Sequence, residues 1–233
     1  TGLDGNYIFN SYAVYKSIVK RYTPEVILLD LNPDMIYTGK ESYDQLYSHL
    51  PFYKDHCEIR NIIGLRGKYE EIKLISKIYP FNSSLLRIAK GILQTEDIDE
   101  LKGYTPLFEQ MPETTSLSYL IRKPSEIDTN KIKILNEMIA DSHRRNIELI
   151  FIQSPMFIMV DQEASLSFID NLAALNGVPF WNYVNDTMFL KPQYFRDMSH
   201  LNDIGAHEFT NAVASRIKQN ILSEGGITAN AYN

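Results

Sequence analysis

Two hydrophobic periods alternate along the chain. Short apolar runs with little internal polarity occur at Pro24–Asn32, around Val26-Ile27-Leu28-Leu29, and at Asn146–Pro155, around Leu149-Ile150-Phe151-Ile152. Such runs, partly β-branched and closed by polar residues or Pro, predict strands buried on both faces of a parallel sheet. Each follows a segment of helical period: Phe9–Arg21, with Tyr12, Val14, Tyr15, Ile18 and Val19, and Ser125–Arg145, with Ile132, Ile134, Leu135, Met138 and Ile139. A third, weaker strand is expected at Val178–Tyr183, after a helix over Gln162–Leu175 and the turn Asn176-Gly177, and a final helix over Asp203–Asn220. Helix and strand in repeated alternation predict an α/β fold with a parallel sheet between helical layers, a three-layer α/β/α arrangement.

Residues 35–124 break the alternation. Helical pieces are expected at Ser42–Tyr53, Tyr69–Tyr79 and Ser83–Gln94, then a Gly-, Pro- and Thr-rich stretch from Gly103 to Ser118, with no convincing strand. The segment reads as a helical insert or cap within one domain spanning 1–222, followed by an aperiodic tail, 223–233. It carries many of the 15 Tyr and 11 Phe residues, which suit either a substrate wall or the packing of a thick helical layer.

Composition narrows the function. A 233-residue chain with 44% hydrophobic and 22% charged residues is globular, and its net charge of −6 sets it against a nucleic-acid partner. No apolar stretch approaches the roughly 18 residues that span a bilayer. Cys57, as a lone cysteine, reads as a small buried hydrophobe. Arg144 and Arg145 read as a solvated helix end, and His49, His56, His143 and His207 as surface or structural residues.

The most informative stretch runs from Tyr194 to Phe209. Asp197 and His200 stand three apart in a loop that ends at a helix start, where Asn202 or Asp203 is a good N-cap. A carboxylate beside an imidazole fixes its tautomer and stabilises the imidazolium, which is what a general base needs when it takes a proton from a hydroxyl. The following helix, with Ala206, Phe209, Val213 and Ile217 at helical spacing, would mount the loop rigidly. A rival metal site from Asp30, Asp34, Asp197, His200 and Asp203 has only composition behind it: Asp203 is explained as a cap and Asp34 as a turn residue. No metal and no cofactor are expected.

The pattern Asp197-x-x-His200-Leu201-Asn202-x-x-Gly205-Ala206-x-x-Phe209 resembles the last signature block of the SGNH (GDSL-like) hydrolases, particularly their bacterial cell-envelope branch. The resemblance covers roughly residues 1–34 and 146–220. It implies a flavodoxin-like α/β domain in which Asp197 and His200 complete a Ser-His-Asp triad. It further implies that Gly5, in Thr1-Gly2-Leu3-Asp4-Gly5-Asn6, and Asn32, in Asp30-Leu31-Asn32-Pro33-Asp34, form the oxyanion hole. The family's nucleophile lies upstream of the Gly block, so the attacking serine is expected before Thr1 and the first strand with it. Ser154, after a strong strand, is a weaker internal substitute, since Gln153-Ser154-Pro155-Met156 lacks the small neighbours of a nucleophile elbow; Ser199 is weaker still.

The activity so implied is hydrolysis or transfer of a small acyl group, such as acetyl, on a carbohydrate or cell-envelope polymer, in the cell envelope and without a cofactor. The alternative is a non-catalytic binding or assembly domain on the same fold.

Overall fold

The computed structural model describes residues 8–82, 104–120, 126–160 and 166–223, together with 85, 88, 89 and 92. The chain is mixed α/β, with parallel strands in two small sheets. The elements in order are α1 (Ile8–Val19), β1 (Val26–Asp30), α2 (Lys40–Asp44), α3 (Arg60–Gly64), α4 (Glu70–Lys73), β2 (Ser118–Leu120), α5 (Thr129–Arg144), β3 (Glu148–Gln153), β4 (Ile158–Val160), α6 (Leu166–Leu175), β5 (Phe180–Asn182) and α7 (Asp203–Ser223). They fall into two compact units. One comprises Thr1–Thr105, Lys123–Ile152 and Gln162–Trp181; the other Pro106–Arg122, Gln153–Asp161 and Asn182–Asn233.

In the first unit β1 and β3 pair in parallel, Val26 against Glu148 through Asp30 against Ile152. The ladder runs one residue further, from the Leu31 amide to the Ile152 carbonyl at 2.7 Å. The larger sheet has the order β1-β3-β5. β3 is central and its side chains from Leu149 to Gln153 are all buried, as its apolar run predicts. β1 differs from the expectation of burial on both faces: it is an edge strand of the described sheet, and Leu28 is 42% exposed. Its run of aliphatics carries no mark that separates a central strand from an edge one.

The core of this unit joins Ile8, Phe9 and Tyr15 of α1, Leu135, Met138 and Ile139 of α5, Leu149 and Phe151 of β3, and Leu46, Ile62, Ile63 and Leu74 of the 40–81 region. A polar clamp lies between α1 and α5. Asp141, buried, accepts hydrogen bonds from the Tyr15 hydroxyl at 3.1 Å, Arg145 Nε at 3.0 Å and Arg144. Arg145 also donates to the Val19 carbonyl at 3.1 Å, closing the carboxyl end of α1. It is therefore a bridge between two helices rather than simply a solvated end. Burial would raise the Asp141 carboxyl, but the arginines and Tyr15 hold it below the ordinary carboxylate range.

Asp128 caps α5 through the Asn130 and Lys131 amides, and the buried Lys131 donates to the Tyr37 carbonyl at 2.6 Å. His49 meets Asn10 Oδ1 at 3.0 Å and His56 meets Glu58 at 2.8 Å, both structural pairings. Cys57 is exposed, contrary to its expected burial, because it opens a short 3-10 turn whose inward position belongs to Ile59.

The 35–124 segment contributes to both units. Where a single helix was expected over Ser42–Tyr53, α2 gives way after Asp44 to a 3-10 stretch, Gln45–Phe52, which contains Pro51. The helix expected over Tyr69–Tyr79 stops at Lys73; the Ser76 hydroxyl takes the amides of Ile78 and Tyr79, and Pro80 follows. β2 appears where no strand was expected. All three of its side chains are exposed, so it leaves no apolar signature and is defined by its pairing with β4, Ser118 against Ile158 through Leu120 against Val160. The helix expected over Ser83–Gln94 and the tail beyond Ser223 lie largely outside the described residues.

Glu58 ties the end of α1 to the 57–59 turn through Lys20 at 2.8 Å and His56. Burial would raise its carboxyl, yet Lys20, a backbone amide and His56 draw it from 4.5 down to about 2. A depressed carboxyl stabilises the folded chain above its unfolded value and loses that contribution as the pH falls toward the folded one. Glu58→Gln should therefore cost about 1 kcal/mol at neutral pH. The gap in thermal midpoint between the two proteins should close as the pH drops from 4.5 toward about 2; a gap independent of pH would contradict the pairing.

Candidate active site

The site is built in the second unit on the segment that joins β5 to α7. An antiparallel bridge between Phe195 and Leu201, with the Arg196 amide donating to the His200 carbonyl at 2.9 Å, closes the loop 196–200. Phe195 is fully buried and packs against Phe157, with ring centroids 5.6 Å apart. The Phe157 amide donates to the Met198 carbonyl at 2.9 Å, and the Met111 amide to the Phe195 carbonyl at 2.9 Å. The segment after β3 and the segment before β2 thus both hold this loop.

Asp197 organises it. Its Oδ1 accepts the backbone amides of Ser199 and His200, each at 3.0 Å. His200 Nδ1 lies 2.8 Å from Oδ1 and 3.0 Å from Oδ2, and Arg196 places Nε and Nη2 at 3.0 and 2.8 Å from Oδ2. Partial burial would raise this carboxyl, but the Ser199 amide, Arg196 and His200 together hold it far below the usual carboxylate range. It is an anion at every physiological pH. An ionised carboxylate only accepts hydrogen bonds, so the proton of the Asp197–His200 contact sits on Nδ1 and leaves Nε2 as the ring's basic nitrogen. The imidazole is open to solvent, with its side chain 55% exposed.

The Asn and Gly of the same block also have physical work. Asn202 is buried, accepts the Gly205 amide at 3.0 Å as N-cap of α7, and donates through Nδ2 to the Gln193 carbonyl at 2.8 Å. Its own amide donates to the Tyr194 carbonyl at 2.9 Å. A Cβ on Gly205 would stand 2.1 Å from that same Tyr194 carbonyl oxygen, so glycine is required by close approach of two backbones. The α7 helix is anchored by Phe209, edge-on to Tyr183 at 5.3 Å and Phe189 at 5.6 Å, and by buried Val213. Asp203 starts the helix and donates its amide to the Leu107 carbonyl at 2.8 Å.

The structure thus brings Asp197 and His200 together. Asn32 lies in the first unit, half-buried just beyond the carboxyl end of β1, its carbonyl accepting the Met35 amide at 2.8 Å. Gly5 lies outside the described residues. Ser154 is half-buried in the irregular segment after β3. Among the described residues no group of three or more His, Cys, Asp or Glu side chains could hold a metal ion.

One residue escaped the sequence reading. Gln153, the last residue of β3, is buried, and among the described residues neither its Nε2 nor its Oε1 has a hydrogen-bond partner. An unpaired buried amide costs about 1–3 kcal/mol, so a buried donor and acceptor left unmet at a strand's carboxyl end is a candidate for contact with a polar ligand. The only signal in the sequence is a single polar side chain ending an apolar run.

Comparison with family models, with curated proteins and with solved structures finds no match for this chain.

Gly205→Ala should lower stability by about 1–3 kcal/mol in denaturant unfolding, because the Tyr194 carbonyl must move to admit the methyl. An unchanged midpoint would contradict the close approach.

Proposed function

We propose that this chain carries the acid–base half of an acyl-ester hydrolase or acyltransferase site. His200 is the general acid and base for a hydroxyl nucleophile, and Asp197 is the group that orients it. The observation that carries the reading is the 2.8 Å contact from His200 Nδ1 to a carboxylate held ionised by two backbone amides and Arg196. With Nδ1 holding a proton for Asp197, Nε2 can take one from a serine hydroxyl as the oxygen attacks the ester carbonyl. It then returns that proton to the departing alcohol, and the fixed carboxylate stabilises the imidazolium between the two steps.

The resemblance of the 197–209 block to the SGNH hydrolases supports a three-layer, flavodoxin-like domain of that type, with Gly5 and Asn32 as oxyanion donors and the serine in the family's Gly-Asp-Ser-like turn. The same resemblance favours small acyl esters, acetyl above all, on carbohydrate or cell-envelope polymers.

One observation favours a second reading, a binding or assembly domain. Asp197 staples its own loop through the Ser199 and His200 amides and Arg196, a task that needs no chemistry.

Hydrolysis of an aryl acetate, assayed with the family's Gly-Asp-Ser-like turn present ahead of Thr1, separates the two. His200→Ala should lower kcat by about 10³-fold or more while leaving the thermal midpoint nearly unchanged, and Asp197→Asn should follow it because the wrong tautomer faces the substrate. Covalent labelling with a fluorophosphonate and peptide mapping should name the serine, and label on Ser154 would move the nucleophile to the end of β3. Turnover indifferent to His200→Ala would remove the triad.

A further inference from the structure

The first unit turns isoleucines outward where its core has no use for them. Along α4 and the turns after it, Glu70, Leu74 and Pro80 are buried, whereas Ile72, Ile75 and Ile78 are 63%, 78% and 67% exposed. Bonds from Ile75 to Ile72, Ser76 to Lys73 and Phe81 to Ile78 close i to i+3. That winding brings side chains three apart over one another, so Ile72 and Ile75 share a line, as do Ile78 and Phe81. Tyr69 precedes the row, and Leu85, Ile88 and Ile92 continue it in the sequence, all of them exposed. A succession of large aliphatics open to water exceeds the scattered apolar residues of an ordinary surface.

Charge is sorted on the same stretch. From Ile72 to Thr95 the sequence holds Lys73, Lys77, Arg87 and Lys90 and no carboxylate, within a chain of net charge −6. Lys68 and Lys77 are exposed, and so is Lys73, which also reaches Glu70 at 3.2 Å. Glu70 is enclosed by Arg66, Lys73 and the Tyr79 hydroxyl, which leaves Glu71 as the exposed carboxylate at the start of the row. Beside it a cleft of about 260 Å³ is lined by Leu50, Leu74, Pro80 and Phe81, with Lys54, Lys77 and the carboxylate Asp55 in its wall.

We infer that the surface formed by Ile72, Ile75, Ile78 and Phe81, flanked by Lys68, Lys73 and Lys77, docks onto an anionic lipid bilayer. The isoleucines enter the boundary between headgroups and acyl chains, and the lysines, on long apolar stems, reach back to the lipid phosphates. No helix among the described residues is long and apolar enough to cross a membrane, so the contact is interfacial. A second copy seated face to face on the same row would oppose lysine to lysine, which favours the lipid as occupant. The inference is independent of the ester chemistry: it concerns other residues and holds whether or not His200 is catalytic.

Flotation of the full chain with vesicles tests it. With equal parts of phosphatidylcholine and phosphatidylglycerol the protein should float, and less of it as salt is raised; with phosphatidylcholine alone it should stay largely below. Ile72→Ser, Ile75→Ser and Ile78→Ser together should cut partitioning about a hundredfold, and Lys68→Gln with Lys77→Gln about tenfold. Circular dichroism and thermal midpoint should remain those of the parent, since the substituted residues are exposed. The inference is overturned by absence of binding to both vesicles, by equal binding to both, by parent-like binding of the serine variant, or by a concentration-dependent dimer that the serine variant abolishes.

Discussion

The candidate site depends on one carboxylate. Asp197 accepts two amides of its own turn, a guanidinium and an imidazole, and each of these fixes a different part of the loop. The amides set the backbone between Ser199 and His200, Arg196 balances the charge, and the imidazole is left with its proton on one defined nitrogen. Hydrogen bonds to an ionised acceptor are the strong kind, and several on one group hold it charged far below its usual range. Even so, the pair is open to solvent, which screens its contribution to stability. Its consequence is chemical: a chosen tautomer on a loop held from behind by Phe195 and Asn202.

That backing explains a motif whose members otherwise look like separate requirements. Asn202 caps α7 and ties the loop to Gln193, while Gly205 admits the Tyr194 carbonyl at a distance no side chain permits. Asp, His, Asn and Gly in this block are one mechanical assembly in which the last two set the place of the first two. The first unit solves a different problem. Its helices α1 and α5 are joined by aliphatic packing and by Asp141, whose buried charge is met from both helices. With that core complete, the isoleucines after Glu70 are free to face outward.

Legibility in the sequence followed the strength of periodicity. The helices α1, α5, α6 and α7 and the strands β1 and β3 were predicted within a few residues, because a long amphipathic stretch or an unbroken aliphatic run has few other outcomes. β2 was not, since Ser118, Tyr119 and Leu120 are all exposed and only a distant partner makes them a strand. The edge position of β1 in the described sheet was equally hidden, because a run such as Val-Ile-Leu-Leu reads alike at a sheet's centre and at its rim. In the site, the Asp197–His200 pairing was readable from its spacing and the helix cap after it. Gln153 was not, since the significance of a buried, unpartnered amide exists only once its surroundings are folded around it.

Asp197 selects the proton-bearing nitrogen of His200, and nitrogen NMR of histidine-labelled protein reads that choice directly. His200, assigned by its loss in His200→Gln, should show in its neutral form a protonated Nδ1 and a bare Nε2, the reverse of the form that free imidazole side chains prefer. Asp197→Asn should abolish that preference. A His200 ring with its proton on Nε2, or one unmoved by Asp197→Asn, would show that Asp197 does not set the tautomer.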